Sequence, residues 1–397
     1  MTNMRAPVCL HLGLLAIFAG NLKPLVKPIA VAQGLTGAVL RVTSLAADGP
    51  GSLRSAVDAA GPRLVVFEVG GVIDLAGVAL ILRNPEITIA GQTAPDPGIT
   101  LIRGELSVQT HDVVVQHIAV RPGDRAGGAP DALGTRGGEA YNVLFDHCSA
   151  TWAIDENLSV SGPADSDPSA TSHDVTLRSC LVAEGLSHAG HPKGEHSKGT
   201  LIHDSVRNVT ITGCLYAHNR ERNPRLKGST RTVVAGNVMY NWGAQCVGVG
   251  ARGNRKLLEP AEAVIVDNIA IAGPDSTSKL FVKSVDPGGR VFLRGNIVDV
   301  PLADAGVARL DAPPSWASVP TTSAADVLRT AGARPARRDP IDARIVQSVI
   351  RRNGRIIDSQ EQVGGYPVRP MTKRALVVPD GAEARQKWLR QLAAEVE

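Results

Sequence analysis

Short runs of alternating apolar and polar residues recur along the middle of the chain at intervals of about thirty residues. Each run predicts a short strand, a bend and a second short strand. β-branched residues dominate, and an apolar spacing of two favours strands over the spacing of three and four in helical repeats. The copies occupy residues 112–123, 142–152, 174–185, 208–219, 231–243, 262–273 and 290–300. We therefore predict an all-β solenoid, a parallel β-helix with one coil per repeat.

The residue at the bend also repeats from copy to copy. At intervals of 30, 32, 34, 23, 31 and 28 residues, the equivalent position holds Ile118, Cys148, Cys180, Cys214, Asn237, Asn268 and Asn296. An asparagine at a bend can hydrogen-bond the asparagine of the next coil through its side-chain amide. We therefore predict a structural ladder, which small, buried cysteines continue. A metal or redox role for the cysteines is the weaker alternative, and a Cys148–Cys180 disulfide remains open.

The pattern also predicts how the solenoid begins and ends. Residues 52–60 predict a short helix that caps the N-terminal end, which would otherwise expose an apolar cross-section. After Pro301 the pattern fades into a Pro- and Ala-rich stretch, followed by a helix over 341–350. We expect a β-helix domain that carries the chemistry over residues 33–300, and a C-terminal extension over 301–397 that packs on it.

Residues 1–32 predict an export signal. Arg5 precedes an apolar stretch at 6–20, and residues 30–32 form a small-residue cleavage pattern. A membrane anchor is the weaker alternative, because polar residues such as Lys23 interrupt the run before it could span a bilayer. The sequence therefore predicts a secreted protein with no membrane partner once the signal is removed.

The charge balance further restricts the class of binding partner. The formal net charge is +4, but removal of residues 1–32 leaves 39 basic against 38 acidic residues. Binding to nucleic acid would need a clustered excess of Lys and Arg, so we expect no nucleic-acid partner. Any attraction for an anionic partner must come from a local patch.

Such a patch is predicted in the loops between Asp131 and Lys227. The acidic candidates are Asp131, Asp155 and Glu156, and the basic candidates are Lys193, Lys198, Arg220, Arg222, Arg225 and Lys227. Because successive loops lie one coil apart, these side chains would meet on one outer face. Carboxylates beside basic groups suit an anionic sugar held partly through a hard cation such as Ca²⁺. A solvated, salt-bridged surface is the alternative. Zinc binding by the nearby histidines is disfavoured, since their spacing follows no familiar zinc motif.

Four motifs in order then carry a family resemblance. They are FDHCS at residues 145–149, AIDENLS at 153–159, HPKGEHSKG at 191–199 and RERNPRLKG at 220–228. With the repeat that holds them, they resemble polysaccharide lyase family 1, the pectate lyases, over residues 37–370. The resemblance implies a right-handed parallel β-helix and calcium-assisted β-elimination of α-1,4-polygalacturonate, yielding 4,5-unsaturated oligogalacturonides.

The resemblance also implies roles for individual residues. Arg222 matches the family's catalytic base, and Lys198 its active-site lysine. Lys227 stands where the family usually has an arginine that holds the substrate carboxylate, and Arg225 belongs to the same substrate-binding group. The family's calcium carboxylates match Asp131 and Asp155, with Glu156 as a further ligand.

Two other functions stay open on the sequence alone. A calcium-free pectin lyase would replace the calcium carboxylates, and Asp131 and Asp155 speak against it. A non-catalytic glycan-binding β-helix would not need Arg222 and Lys198 together. We expect a monomer whose partner is an acidic polysaccharide.

Overall fold

The computed structural model describes residues 31–125, 127–162, 170–250, 259–285 and 288–397. Residues 1–30 of the predicted export signal lie outside these residues. Within the described part of the chain, helices are too short or too polar to cross a membrane.

Parallel strands wind into three sheets along one axis. Within the described residues, the first sheet has eleven strands: β1 (Ala38–Val42), β2 (Arg63–Phe67), β5 (Ile87–Ala90), β8 (Val113–Gln116), β11 (Tyr141–Asp146), β14 (His173–Arg178), β17 (Arg207–Thr212), β20 (Arg231–Ala235), β23 (Glu262–Val266), β26 (Arg290–Arg294) and β28 (Ala308–Arg309).

The second sheet follows the first around each coil. Its described strands are β3 (Val69–Asp74), β6 (Ile99–Ile102), β9 (Ile118–Arg121), β12 (Ser149–Thr151), β15 (Leu181–Ala183), β18 (Leu215–Ala217), β21 (Val238–Tyr240), β24 (Ile269–Ile271), β27 (Ile297–Val298) and β29 (Thr372–Lys373). β29 pairs antiparallel with β3 and brings the C-terminal segment back to the first coils.

The third sheet completes each coil and is built from shorter strands. Its described strands are β4 (Leu80–Leu82), β7 (Leu106–Val108), β10 (Leu133–Thr135), β13 (Glu156–Val160), β16 (Lys198–Ile202), β19 (Arg225–Leu226), β22 (Val247–Val249) and β25 (Val282–Ser284). The predicted parallel β-helix is confirmed.

Strand register stacks equivalent side chains inside the coil. In the first sheet Val115 pairs with Phe145, Phe145 with Leu177, and Leu177 with Ile211. All four are fully buried in one continuous apolar core. Alternate residues of each strand therefore enter the core, as the apolar spacing of two predicts.

The predicted ladder of asparagines and cysteines is present at the bends between the first and second sheets. The amide of Asn237 donates to Asn268 Oδ1 at 2.9 Å, and that of Asn268 donates to Asn296 Oδ1 at 2.8 Å. The backbone N–H of Cys214 donates to Asn237 Oδ1 at 2.8 Å. The cysteines among the described residues are free, so the Cys148–Cys180 disulfide is not formed.

Helices close one end and line the outside. Helix α1 spans Val31–Thr36, α2 Leu53–Asp58, α3 Val327–Thr330, α4 Pro340–Ile350 and α5 Ala382–Ala394; short 3₁₀ helices cover Gly91–Thr93, Ala324–Asp326, Pro335–Arg337 and Gln360–Val363. The side chain of Ser52 caps α2, and Leu53 and Val57 enter the main core. This confirms the predicted N-terminal capping helix.

The C-terminal segment packs on the outside of the second sheet through α4. Ile345 and Val349 of this helix pack against Trp152 and Leu215. The N-cap residue Asp339 also accepts a hydrogen bond from the buried Arg121 at 2.7 Å. The segment therefore covers the second sheet and leaves the groove of the third sheet to the loops described below.

Candidate active site

A groove of about 840 Å³ runs along the third sheet. Its lining includes seven residues singled out from the sequence: Asp131, Asp155, Glu156, Lys193, Arg222, Arg225 and Lys227. They converge because they lie in, or in the loops next to, neighbouring strands of the third sheet. The register of β10, β13 and β16 pairs Leu133 with Leu158 and Glu156 with Lys198. Lys198 itself is not among the described residues that line the groove.

Asp131 marks the acidic end of the groove. It accepts a hydrogen bond from the backbone N–H of Glu156 at 3.0 Å and from the Ser159 hydroxyl at 2.7 Å. Burial raises the pKa of Asp131 to about 6; the Ser159 hydrogen bond opposes this rise and the charge of Asp155 adds to it. Ionisation of Asp131 next to a second carboxylate is unfavourable, so a cation bound between them would stabilise the ionised pair.

Two histidines hold Asp155 in place. His196 Nε2 lies 2.8 Å from Asp155 Oδ1, and His191 Nε2 lies 3.5 Å from Oδ2. The two rings stack with centroids 3.5 Å apart. Burial raises the pKa of Asp155, but the hydrogen bond and charge of His196, with the charges of Arg222 and His191, outweigh it and hold the pKa below its usual value. Asp155 is therefore kept ionised.

The contacts of His191 indicate which of its ring nitrogens carries the proton. The backbone N–H of Lys193 donates to His191 Nδ1 at 3.0 Å, so the neutral ring carries its proton on Nε2, which faces Asp155. In this arrangement the His191 ring faces Asp155 as a hydrogen-bond donor rather than as a metal ligand. Sequence analysis missed these contacts with Asp155. They depend on the strand register that pairs Glu156 with Lys198, two residues after His196, and the sequence carries no local signal of that register.

The three carboxylates fit a hard cation. Oxygen atoms of Asp131, Asp155 and Glu156 all lie within 4.8 Å of one another. An all-oxygen donor set with several negative charges is the environment that Ca²⁺ prefers in proteins. The three carboxylates therefore fit a calcium ion, and their assignment as its ligands remains a prediction from the family resemblance.

Arg222 lies against the same carboxylates. Its guanidinium contacts the Glu156 carboxylate directly, and its Nη1 lies 4.0 Å from Asp155 Oδ1. Its backbone has a φ of +65°, an uncommon value for a long side chain. Strained backbone of this kind persists where surrounding structure imposes it, often at functional sites.

The two lysines each have an acidic partner that sequence analysis did not single out. Lys198 Nζ lies 2.7 Å from Glu221 Oε2, and Lys227 Nζ lies 2.5 Å from Asp204 Oδ2. Glu221 is adjacent to the groove residue Arg222, and an isolated bridge pairs Glu221 with Lys198. Sequence spacing could not reveal either pair, because each depends on which residues the coil brings into register.

Comparison with known proteins identifies curated relatives. The chain is 30% identical to a probable pectate lyase C of Aspergillus flavus over 379 residues, covering 88% of this chain and 83% of the relative. It is 34% identical to a probable pectate lyase C of Aspergillus fumigatus over 251 residues, covering 63% of this chain and 53% of the relative. No family model matches the chain.

The fold has a solved counterpart. A pectate lyase bound to a hexasaccharide superposes with a TM-score of 0.52 at 12% identity, covering 75% of this chain and 92% of that chain. At this identity the likeness extends to the fold alone. The sequence relationship to the Aspergillus flavus protein runs through most of both chains and includes the coils that form the groove. The chain belongs to the pectate lyases of polysaccharide lyase family 1.

Proposed function

We propose that this protein is a pectate lyase that cleaves α-1,4-polygalacturonate by calcium-assisted β-elimination, with Arg222 as the base. The observation that carries the proposal is the arrangement of the groove. Carboxylate oxygens of Asp131, Asp155 and Glu156 lie within 4.8 Å of one another, and Arg222 contacts this cluster. Family membership supports the same activity.

Asp131, Asp155 and Glu156 would hold the calcium ion. When bound, Ca²⁺ supplies positive charge that neutralises these carboxylates and attracts the carboxylate of a galacturonate unit. His196 and His191 keep Asp155 ionised and oriented, so they are positioning residues for the acidic end of the groove.

Arg225 and Lys227 would bind the carboxylate of the sugar that reacts. Both line the groove beside Arg222. Removal of the proton at C5 places negative charge on that carboxylate, and nearby fixed cations stabilise the charge as it develops. The electron pair then forms the C4–C5 double bond while the C4–O bond breaks, and the departing glycosidic oxygen takes a proton from solvent water. The products are a 4,5-unsaturated oligogalacturonide and a new chain end.

Arg222 would accept the C5 proton. Arginine is normally protonated, so this role requires surroundings that lower its proton affinity. The cationic side chains of Arg225 and Lys227 act in that direction, whereas Glu156 and Asp155 act against it. The role of Arg222 as base therefore depends on neutralisation of these two carboxylates.

Lys198 remains a proposed substrate-binding residue. Its ammonium lies on Glu221, which itself lines the groove next to Arg222. A substrate carboxylate entering the groove would compete with Glu221 for this charge. We further propose a secreted monomer that acts on acidic polysaccharide, with no nucleic-acid or membrane partner.

The proposal is tested by following the absorbance of unsaturated product from polygalacturonate, with and without excess EGTA. We expect activity to disappear in the chelator and to return when Ca²⁺ is added, because substrate and carboxylates are both anionic. Full activity in EGTA would contradict the calcium assignment and favour a pectin lyase, for which methyl-esterified pectin is the matched substrate. Binding of polygalacturonate without any product would favour a non-catalytic glycan-binding protein.

A further inference from the structure

A second cluster of metal-ligating side chains lies away from the groove, at the bends between the first and second sheets. His117 joins β8 to β9, and His147 stands at the same bend one coil later. The carboxylate of Glu397, beyond helix α5, reaches both rings. One ligand atom from each of the three residues lies within 4.8 Å of the others.

The backbone at these bends favours glycine, yet two of them hold histidine. His117 and His147 have φ values of +56° and +49°. The equivalent positions in later coils hold Ser179, Gly213, Gly236, Asp267 and Gly295. Histidine, like asparagine and aspartate, adopts positive φ more readily than other non-glycine residues. The result is two nearly parallel imidazoles, with centroids 5.1 Å apart, on consecutive coils.

The proton position on His117 leaves one nitrogen available. His117 Nδ1 lies 2.8 Å from the carbonyl oxygen of Ala333, which can only accept, so Nδ1 carries a proton. The neutral ring then has a lone pair on Nε2. This atom is fully buried, has no hydrogen-bond partner among the described residues and lies 3.6 Å from Glu397 Oε1. A lone pair facing a carboxylate is repulsive unless a proton or a metal ion stands between them.

The distances fit two edges of a metal coordination shell. His147 Nδ1 lies 3.5 Å from Glu397 Oε1, close to the 3.6 Å from His117. Ligands bound at about 2.0–2.2 Å in tetrahedral geometry lie about 3.2–3.6 Å apart. Two imidazoles and one carboxylate suit Zn²⁺, whereas Ca²⁺ prefers oxygen ligands throughout.

We propose that His117 Nε2, His147 Nδ1 and the Glu397 carboxylate form a site for Zn²⁺ or a similar borderline divalent cation. His147 Nδ1 also lies 3.0 Å from Asp146 Oδ1, so the metal replaces the proton shared by these two atoms. Asp146 is itself held by Arg178 at 2.7 Å. The ion ties the end of the chain to the bends of two coils, and a water molecule completes the shell.

The test is a calorimetric titration of the full chain with Zn²⁺ in the presence of saturating Ca²⁺, which occupies the oxygen ligands of the groove. We expect one equivalent of Zn²⁺ to bind. Removing an outer-shell partner of a metal ligand typically costs 10–100-fold in affinity, so Glu397→Gln and His117→Asn should each cost at least about tenfold. Asparagine tolerates positive φ, and Glu397 is at the partly exposed end of the chain, so both variants should fold.

Two matched variants separate this cluster from other histidines. His111→Asn removes a partly exposed histidine of the first sheet, and His196→Asn removes the histidine on Asp155; neither should change Zn²⁺ affinity. The proposal is overturned if no Zn²⁺ binds below millimolar concentration, which would leave His117, His147 and Glu397 as an ion pair. It is equally overturned if His196→Asn abolishes binding while His117→Asn retains it.

Discussion

The ladder at the bends and the groove of the third sheet are built by the same stacking of coils, but their chemistry differs. In the ladder, each amide offers both a donor and an acceptor. Asn268 therefore accepts from Asn237 and donates to Asn296, at 2.9 and 2.8 Å. In the groove, stacking brings the carboxylates of Asp131 and Asp155 together. Both can only accept hydrogen bonds, and both carry negative charge when ionised.

The difference shows how one geometry serves two purposes. Where a side chain can hydrogen-bond the equivalent side chain of the next coil, repetition stabilises the fold. Where stacked loops bring like charges together, repetition builds a site that needs an external cation; the charge of Asp155 adds to the effect of burial in raising the pKa of Asp131. Substitutions in the groove should therefore affect activity, and substitutions in the ladder should affect stability.

The largest expected effect is on turnover in Arg222→Lys. The substitution keeps the positive charge and the flexible stem at the same backbone position, so folding and binding of a short oligogalacturonate should persist. Turnover should fall by about 10²–10⁴-fold, the usual contribution of a general base, because the shorter ammonium cannot reach the same proton. Product absorbance measures turnover, and calorimetry measures binding, both at alkaline pH.

Near-normal turnover in Arg222→Lys would reject the base role. A loss of binding in proportion to the loss of rate would instead make Arg222 a clamp for the substrate carboxylate.

The next effect concerns calcium affinity. Asp131→Asn and Asp155→Asn should each shift the calcium dependence of the rate by at least about tenfold, since removing even an outer-shell partner of a metal ligand costs 10–100-fold. Melting temperature should change little, because both residues lie in loops before the strands. Asp267→Asn, an exposed carboxylate at a distant bend, is the control. An unchanged calcium titration would remove the substituted residue from the site.

In the ladder, Asn268→Ala should lower stability without a direct effect on chemistry. The substitution removes the Asn268 side chain from its two buried partners, the side-chain amide of Asn237 and the carbonyl oxygen of Val234. Each such group costs about 1–3 kcal/mol. Urea unfolding measures the loss, and Asn353→Ala, at an exposed asparagine outside the coils, is the control. Normal stability combined with lost turnover would show that the ladder is functional rather than structural.

The smallest effect is expected where ion pairs to the exposed carboxylate of Asp96 hold the C-terminal extension. Asp96 accepts from Arg334 at 2.6 Å and from Arg337 at 2.8 Å. Burial raises the pKa of Asp96, but the hydrogen bonds from Arg337 and Arg334 outweigh it and hold the pKa below its usual value. A carboxylate with a lowered folded pKa stabilises the protein above its unfolded pKa, roughly 3.9, and this stabilisation disappears as pH falls through the folded value.

Asp96→Asn should therefore cost at most about 1 kcal/mol at pH 7, since solvent screens an exposed pair. The difference from the unsubstituted protein should shrink below about pH 4 and in high salt. Thermal unfolding at several pH values measures it. A difference that grows on acidification would contradict the assigned direction of the pKa.

Much of the architecture could be predicted from local pattern. Apolar residues at every second position predicted the strands, and the repeat of the pattern along the chain predicted the coils. Both signals are local, because each coil repeats the same alternation of buried and exposed residues. The ladder positions followed from the same alignment and are confirmed at Asn237, Asn268 and Asn296. The predicted helix over 341–350 is present as α4, one residue longer at its start. The domain boundaries at residues 32 and 300 remain predictions.

The residues of the groove were also recognisable from their motifs, but their partners were not. Asp155 is in hydrogen-bond contact with His196, and Lys198 and Lys227 form ion pairs with Glu221 and Asp204. These contacts join residues 23 to 41 positions apart in loops of unequal length, so their pairing depends on where each loop returns to the coil.

The same limit applies to the histidines at the bends. The sequence places His117 and His147 one coil apart, yet only the packed C-terminal segment brings Glu397 to both rings. The sequence repeat thus determined the β-helix fold and which residues of each strand face the core or the outside. Register, loop return and the docking of the C-terminal segment decided which charges meet, because those contacts depend on distances in space that no local pattern encodes.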